Sequence, residues 1–128
     1  MRLLDSNIVI YATQPANGWL RTEVLSQPFA VSQVTRVEVL GWHKMTPQDK
    51  ADLETFLDAG LVLSITDAIA DRAIALRQAR KLSLGDALIA ATALEHDFEL
   101  LTRNADDFKQ VPGVKWSNPF DQALASKP

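Results

Sequence analysis

Arg2-Leu3-Leu4-Asp5-Ser6-Asn7-Ile8-Val9-Ile10-Tyr11-Ala12 sets a short apolar run, a polar triplet and a second apolar run end to end. Arg2 to Leu4 reads as a buried strand that stops at polar residues, and Ile8 to Ala12 is apolar enough to start a helix directly afterward. The switch from strand to helix puts Asp5 at the carboxyl end of a strand. In open sheets the ligand site lies past those ends, near a reversal of strand order.

Working outward, Gln14 to Gly18 reads as a turn and Trp19 to Leu25 as a second short helix. Phe29-Ala30-Val31-Ser32 is the next strand, with Pro28 at its start, where a missing N–H is tolerated. From Thr35 the period becomes helical through Val37, Leu40 and Lys44. Thr35 and Glu38 have the form of a capping box, and the same Glu is equally a candidate site ligand. Thr46-Pro47-Gln48-Asp49 predicts a helix start, running to about Ala59 with Gly60 closing it. Leu61 to Ile65 is a strand, and Thr66-Asp67 opens a helix with Ile69, Ala73, Leu76 and Ala79 on its apolar face. A further helix begins near Ser83 and passes through Ala87, Leu88, Ala91 and Leu94; apolar around so much of its circumference, it belongs at the centre. Glu99 to Thr102 is a strand, Arg103 to Asp107 a polar loop at its carboxyl end, and Val114 to Trp116 a last strand before a tail that Pro119 and Pro128 make irregular.

Short apolar strands alternating with helices indicate βαβ units. They predict an α/β, three-layer arrangement in which a mainly parallel sheet of four or five strands is covered by helices on both faces. With no internal repeat or interior linker, residues 1–128 are expected to form a single domain.

The chain is 47% hydrophobic and 23% charged, values of a folded protein able to bury a core without staples. It has no cysteine, which excludes disulfides, thiolate zinc sites and cysteine nucleophiles. The most apolar stretch, Ala87 to Leu94, is far short of a bilayer span, and the first residues resemble no signal peptide. A soluble, cytoplasmic protein is expected. Its net charge of −3 argues against non-specific binding to a nucleic-acid backbone. It argues less against a nuclease, because a cation held by carboxylates reverses their local field.

Most acids in such a chain decorate the surface. Three are placed differently: Asp5 ends an apolar strand, Glu38 has Val37, Val39 and Leu40 as neighbours, and Asp86 precedes Ala87-Leu88-Ile89-Ala90-Ala91. Each is open to a second reading, as a cap or a helix-dipole partner. Brought together without a cation, however, they would repel and raise one another's pKa values, so a cluster of this kind is normally held by a metal. Oxygen ligands favour Mg²⁺ or Mn²⁺ over zinc, and His43 and His96 belong to no zinc spacing. An ion held by few carboxylates keeps positions open for a phosphate oxygen and an attacking water, and phosphoryl transfer needs little else.

The segments LLDSNIVIYA from Leu3, VSQVTRVEVLG from Val31, LSLGDALIAATALEHDFELLTRNADDF from Leu82 and VPGVKWSNPF from Val111, in this order and spacing, resemble the PIN-domain ribonucleases. Within them, the chain is similar to the VapC-like toxins of bacterial toxin–antitoxin pairs. The resemblance covers nearly the whole chain. It implies that Asp5, Glu38 and Asp86 bind the divalent ion and that Asn7 and Thr102 orient the metal site. Many members carry a fourth acid where this chain has Asn104, and Asp107 is the substitute that the T-R-N-x-x-D-F pattern offers, acting through a metal-bound water. The resemblance further implies a homodimer, an endoribonuclease activity on RNA, and a cognate antitoxin whose C-terminal segment reaches into the acidic site.

Arg103 follows Thr102 in the loop beside these carboxylates, where its guanidinium could grip a phosphate. Arg72, Arg77, Arg80 and Lys81 form the densest basic segment; Arg77 and Lys81 are an i,i+4 pair, for which a solvated helix face is the commoner explanation. Trp19, Trp42 and Trp116 are expected in core or interface packing, and some of Tyr11, Trp42 and Phe56 in a dimer or antitoxin surface. Two other functions fit the same sheet. One is a receiver-like phosphoacceptor or other metal-dependent phosphohydrolase, of which the phosphoacceptor needs a strand-end Lys that is not evident here; the other, a non-catalytic PIN-like binding module, would be signalled by loss of Asp5 or Asp86.

Overall fold

The computed structural model describes residues 1–121. Its strands are β1 (Arg2–Leu4), β2 (Phe29–Ser32), β3 (Leu61–Leu63), β4 (Glu99–Leu101) and β5 (Trp116–Ser117). Its helices are α1 (Ser6–Ala12), α2 (Gly18–Leu25), α3 (Gln33–Leu40), α4 (Pro47–Asp58), α5 (Asp67–Ala79) and α6 (Leu84–His96). The five strands are parallel in the order β3-β2-β1-β4-β5. The chain steps outward from β1 to β3, then returns to the other side of β1, so strand order reverses between β1 and β4. In open sheets such a reversal marks the place past the carboxyl ends where ligands bind.

Adjacent residues in a strand point to opposite faces, and this alternation divides the core. Leu3 and Leu100 pack with α5 and α6 residues such as Ile69, Ala73, Ala87 and Ala91 on one face. Leu4 and Leu101 pack with Ile8, Val9, Leu20, Val39 and Leu57 on the other. Leu3 and Leu4 are both fully buried, and burying a leucine side chain stabilises by roughly 1.5–3 kcal/mol. Helix α6 buries Ala87, Ile89, Ala90, Ala91, Thr92 and Ala93, mostly small side chains that allow close packing. Among the described residues no helix is long and apolar enough to cross a membrane.

Several local expectations change. Helix α3 starts at Gln33 because the Ser32 hydroxyl accepts the Val34 N–H at 3.1 Å; Thr35 is buried inside the helix, so no Thr35–Glu38 capping box forms. Glu38 is thereby free of a capping role. Helix α4 starts as expected, with the Thr46 hydroxyl accepting the Asp49 N–H and Pro47 at the first position. A side chain at Gly60 would run into the Phe29 ring, so the turn into β3 needs glycine for close approach. Phe29 in turn stacks on Phe56 with centroids 5.4 Å apart, which makes Phe56 a core residue rather than part of a docking surface. Ala79 is exposed, and α5 ends there as Arg80 becomes extended. Lys81 therefore shares no helix face with Arg77, whose Nε donates to the Leu82 carbonyl. The last strand lies at Trp116–Ser117 rather than Val114–Trp116, set by Leu100 N–H donating to Lys115 and Thr102 N–H to Ser117. Pro119 begins a helical turn reaching the last described residue, and Pro128 lies outside the described residues.

Candidate active site

Asp5 follows the carboxyl end of β1, beside the end of β4, and is only 7% exposed. It caps α1: one carboxylate oxygen accepts the Ser6 N–H at 2.8 Å, while the other accepts the Thr102 hydroxyl at 2.8 Å and the Asn7 amide at 3.2 Å. Its own N–H donates to the Leu101 carbonyl, tying the end of β1 to the end of β4. Burial pushes the Asp5 carboxyl above the usual aspartate range and the Glu38 charge adds to that, against the donors that favour ionisation.

Asp86 is in the first turn of α6, where its N–H donates to the hydroxyl of the cap Ser83 at 3.1 Å. Burial raises its carboxyl, and the charges of Asp5 and Asp107 raise it further. Asp107 therefore belongs to the same electrostatic field. Its neighbour Asp106 does not, being exposed and paired with Lys109 at 2.8 Å. Glu38 reaches the cluster from α3, its Oε1 accepting the Ser6 hydroxyl at 3.0 Å. The other side of that carboxylate lies against Gly85, where an added Cβ would sit 3.2 Å from Oε2. Thus Glu38 is wedged between the residue after Asp5 and the residue before Asp86. Asn104 donates its N–H to the Thr102 hydroxyl oxygen at 3.0 Å and leaves its side chain exposed.

Ser6 joins the acids of β1 and α3 and escaped sequence reasoning. Its only signal is a place in the polar triplet Asp5-Ser6-Asn7, because the partner Glu38 is 32 positions away. Among the described residues no group of three or more Asp, Glu or His side chains is placed to hold a metal ion, so Asp5, Glu38 and Asp86 do not form a ready-made chelate. None of Asp5, Glu38, Asp86 or Asp107 has a Lys or Arg partner among the described residues, and Glu38 accepts the Ser6 hydroxyl. The donor chemistry does fit a hard divalent cation, since all four side chains offer only oxygen and the charge they lack is positive.

The PIN-domain family model matches residues 2–114, nearly all of the described chain. This chain belongs to the PIN-domain family. Among its relatives, Ribonuclease VapC10 of Mycobacterium tuberculosis is 31% identical over 123 residues, covering 90% of this chain and 91% of that protein. A toxin–antitoxin complex from Klebsiella pneumoniae contains a chain 35% identical to this PIN domain, superposing with a TM-score of 0.74 over 89% of this chain and 95% of that one. VapBC2 from Rickettsia felis, bound to a promoter DNA fragment, shares the fold with a TM-score of 0.77 at 22% identity, covering 91% and 97% of the two chains. The PIN domain described here is thus homologous to VapC-like toxins of toxin–antitoxin pairs.

Two surfaces of this PIN domain flank the acids. On one side an open groove of about 490 Å³ runs from Glu38 past Ile10, Val39, Trp42, Met45 and Leu53, with Asp49 and Asp52 also on its wall. Trp42 is half exposed there, as a docking surface requires and a core position does not allow. On the other side Arg103 donates its N–H to the Asn7 side-chain oxygen at 3.2 Å and lays its guanidinium over the rings of Tyr11 and Phe120. Trp19 packs edge-on against Phe120, and Trp116 is half-buried with Lys109 above its ring.

Proposed function

We propose that this PIN domain is a Mg²⁺- or Mn²⁺-dependent endoribonuclease acting as the toxin of a toxin–antitoxin pair. The observation that supports it most is a buried Asp5 in the field of Glu38 and Asp86, with no basic side chain bonded to any of the three among the described residues. Perturbed carboxylates of this kind cluster at functional sites, and these suit a cation and a phosphate. Asp5, Glu38 and Asp86 would hold the ion, with Asp107 completing the set through water. When bound, such an ion neutralises phosphate oxygens and lowers the pKa of an attacking water.

The chain's own residues prepare that event. Thr102, Asn7 and the Ser6 N–H fix the orientation of the Asp5 carboxylate, and Ser6 aims Glu38 toward the same site. Asn104 presents its side chain at the rim, where it can orient a water, and Arg103 stands ready for phosphate. The apolar groove beside Glu38 suits an antitoxin helix, whose following segment would bring an Arg or Lys to the carboxylates in place of the cation. Ile74 and Leu84, both more than half exposed on α5 and α6, suit a homodimer contact. The protein works in the cytoplasm on this reading, as one domain.

Incubation of purified protein with total RNA should give discrete cleavage products that depend on added Mn²⁺ or Mg²⁺ and vanish with EDTA. RNA binding without any cleavage across the metal titration would instead favour a non-catalytic PIN-like module.

A further inference from the structure

Arg103 serves different neighbours with its backbone and its side chain. Its N–H is bound by Asn7, itself a ligand of Asp5, while its guanidinium carbon lies 4.7 Å from the Tyr11 ring centroid and 4.1 Å from that of Phe120. Asn7 and Tyr11 are four residues apart on α1 and so share a helix face. The Arg103 backbone is thus bound at Asn7 and its guanidinium rests on Tyr11, about one helical turn, roughly 5.4 Å, further along α1.

The aromatic seat is itself braced. Phe120 meets Tyr11 edge-on at 5.4 Å and Trp19 edge-on at 5.2 Å, and its N–H donates to Asn118, whose amide donates to the Arg103 carbonyl. Aromatic faces attract a guanidinium through its faces and leave its N–H edge open. Arg103 is exposed, and among the described residues its side chain makes no hydrogen bond or ion pair. A cation held on two aromatic rings, with its backbone tied to Asn7 beside Asp5 and its donors unspent among the described residues, is built for an anion that comes from outside.

We propose that Arg103 anchors a backbone phosphate of single-stranded RNA flanking the one placed at the carboxylates, and that Tyr11 and Phe120 are positioning residues that orient its guanidinium. This rests on the ribonuclease reading and adds a strand path to it: RNA crosses the carboxyl ends of β1 and β4 along α1, from Asp5 toward Tyr11. Phe120 then links the C-terminal part of the chain to substrate binding.

The test is fluorescence anisotropy of a labelled, mixed-sequence single-stranded RNA oligonucleotide in EDTA, so that no cleavage occurs, over a salt series. Arg103→Ala is expected to weaken binding about tenfold and to flatten the plot of log affinity against log salt by about 0.7, the share of one phosphate contact. Arg103→Lys should recover the slope and only part of the affinity. Phe120→Ala should keep the slope while weakening binding severalfold, and adding it to Arg103→Ala should cost nothing more, a non-additivity that a purely structural Phe120 would not show. Circular dichroism melts identify any variant that fails to fold, and Arg103→Lys then carries the comparison. Wild-type affinity and slope in Arg103→Ala would overturn the anchor while leaving the ribonuclease intact; a wild-type protein that neither binds nor cuts RNA would overturn both.

Discussion

Thr102 donates its hydroxyl proton to Asp5 at 2.8 Å across 97 positions of sequence, and the same oxygen accepts the Asn104 N–H at 3.0 Å. One hydroxyl thus sets both the buried acid and the loop that carries Arg103 to Asp107. Thr102→Val keeps the shape and removes both bonds, so it should destabilise by about 1–3 kcal/mol, the usual cost of stranding buried polar groups. It should also lower cleavage, and Thr102→Ser should restore both. Urea denaturation and an RNA cleavage assay on the three proteins check this.

Asp5 and Asp86 both have carboxyls raised in the fold, Asp5 by burial and then Glu38, Asp86 by burial and then Asp5 and Asp107. Between the ordinary aspartate pKa and the raised one, the folded state binds more protons than the unfolded state, so stability falls as pH rises through that window. With EDTA present, the melting temperature should therefore decline from the acid range toward neutrality, after allowing for other groups. Asp5→Asn and Asp86→Asn should flatten that decline, and a steeper decline in either variant would contradict the assignment.

Adjacent acids Asp106 and Asp107 should behave oppositely. Asp106 is exposed and bound to Lys109, an ion pair of a kind that contributes little at a surface. Asp106→Asn should leave cleavage within about twofold. Asp107→Asn should slow it about tenfold or more and weaken Mn²⁺ binding measured by calorimetry. Equal behaviour of the two variants would make Asp107 only a loop residue.

Ile74 and Leu84 expose more than half of their surface on neighbouring helices. Light scattering should give a dimer for the free protein at micromolar concentration, and Ile74→Glu with Leu84→Glu should give a folded monomer. A wild-type monomer would remove the homodimer from the account.

The strand-end position of Asp5 and the helical-turn position of Asp86 were legible because apolar runs flank each of them, and periodicity is a local signal. The parallel sheet followed from the alternation of those runs. What stayed hidden was contact across the chain. Ser32 rather than Thr35 caps α3, since the chain can enter a helix directly from β2 without a loop. Phe56 carries no mark of its stacking on Phe29, and Arg103 none of its seat on Tyr11 and Phe120. Ser6 binding Glu38 depends on where α3 lies against α1, which no spacing in the sequence encodes.

The central claim is that Asp5 and Asp86 serve chemistry through a bound cation rather than serving the fold. Cleavage of total RNA by wild type, Asp5→Asn and Asp86→Asn across a Mn²⁺ titration, each protein paired with its own EDTA-state melting curve, tests it most directly. The account predicts that both variants lose at least about a hundredfold in cleavage rate, some 2.7 kcal/mol of barrier, while melting at or above the wild-type temperature. Undiminished cleavage by either variant, or wild-type cleavage that EDTA leaves untouched, would contradict it.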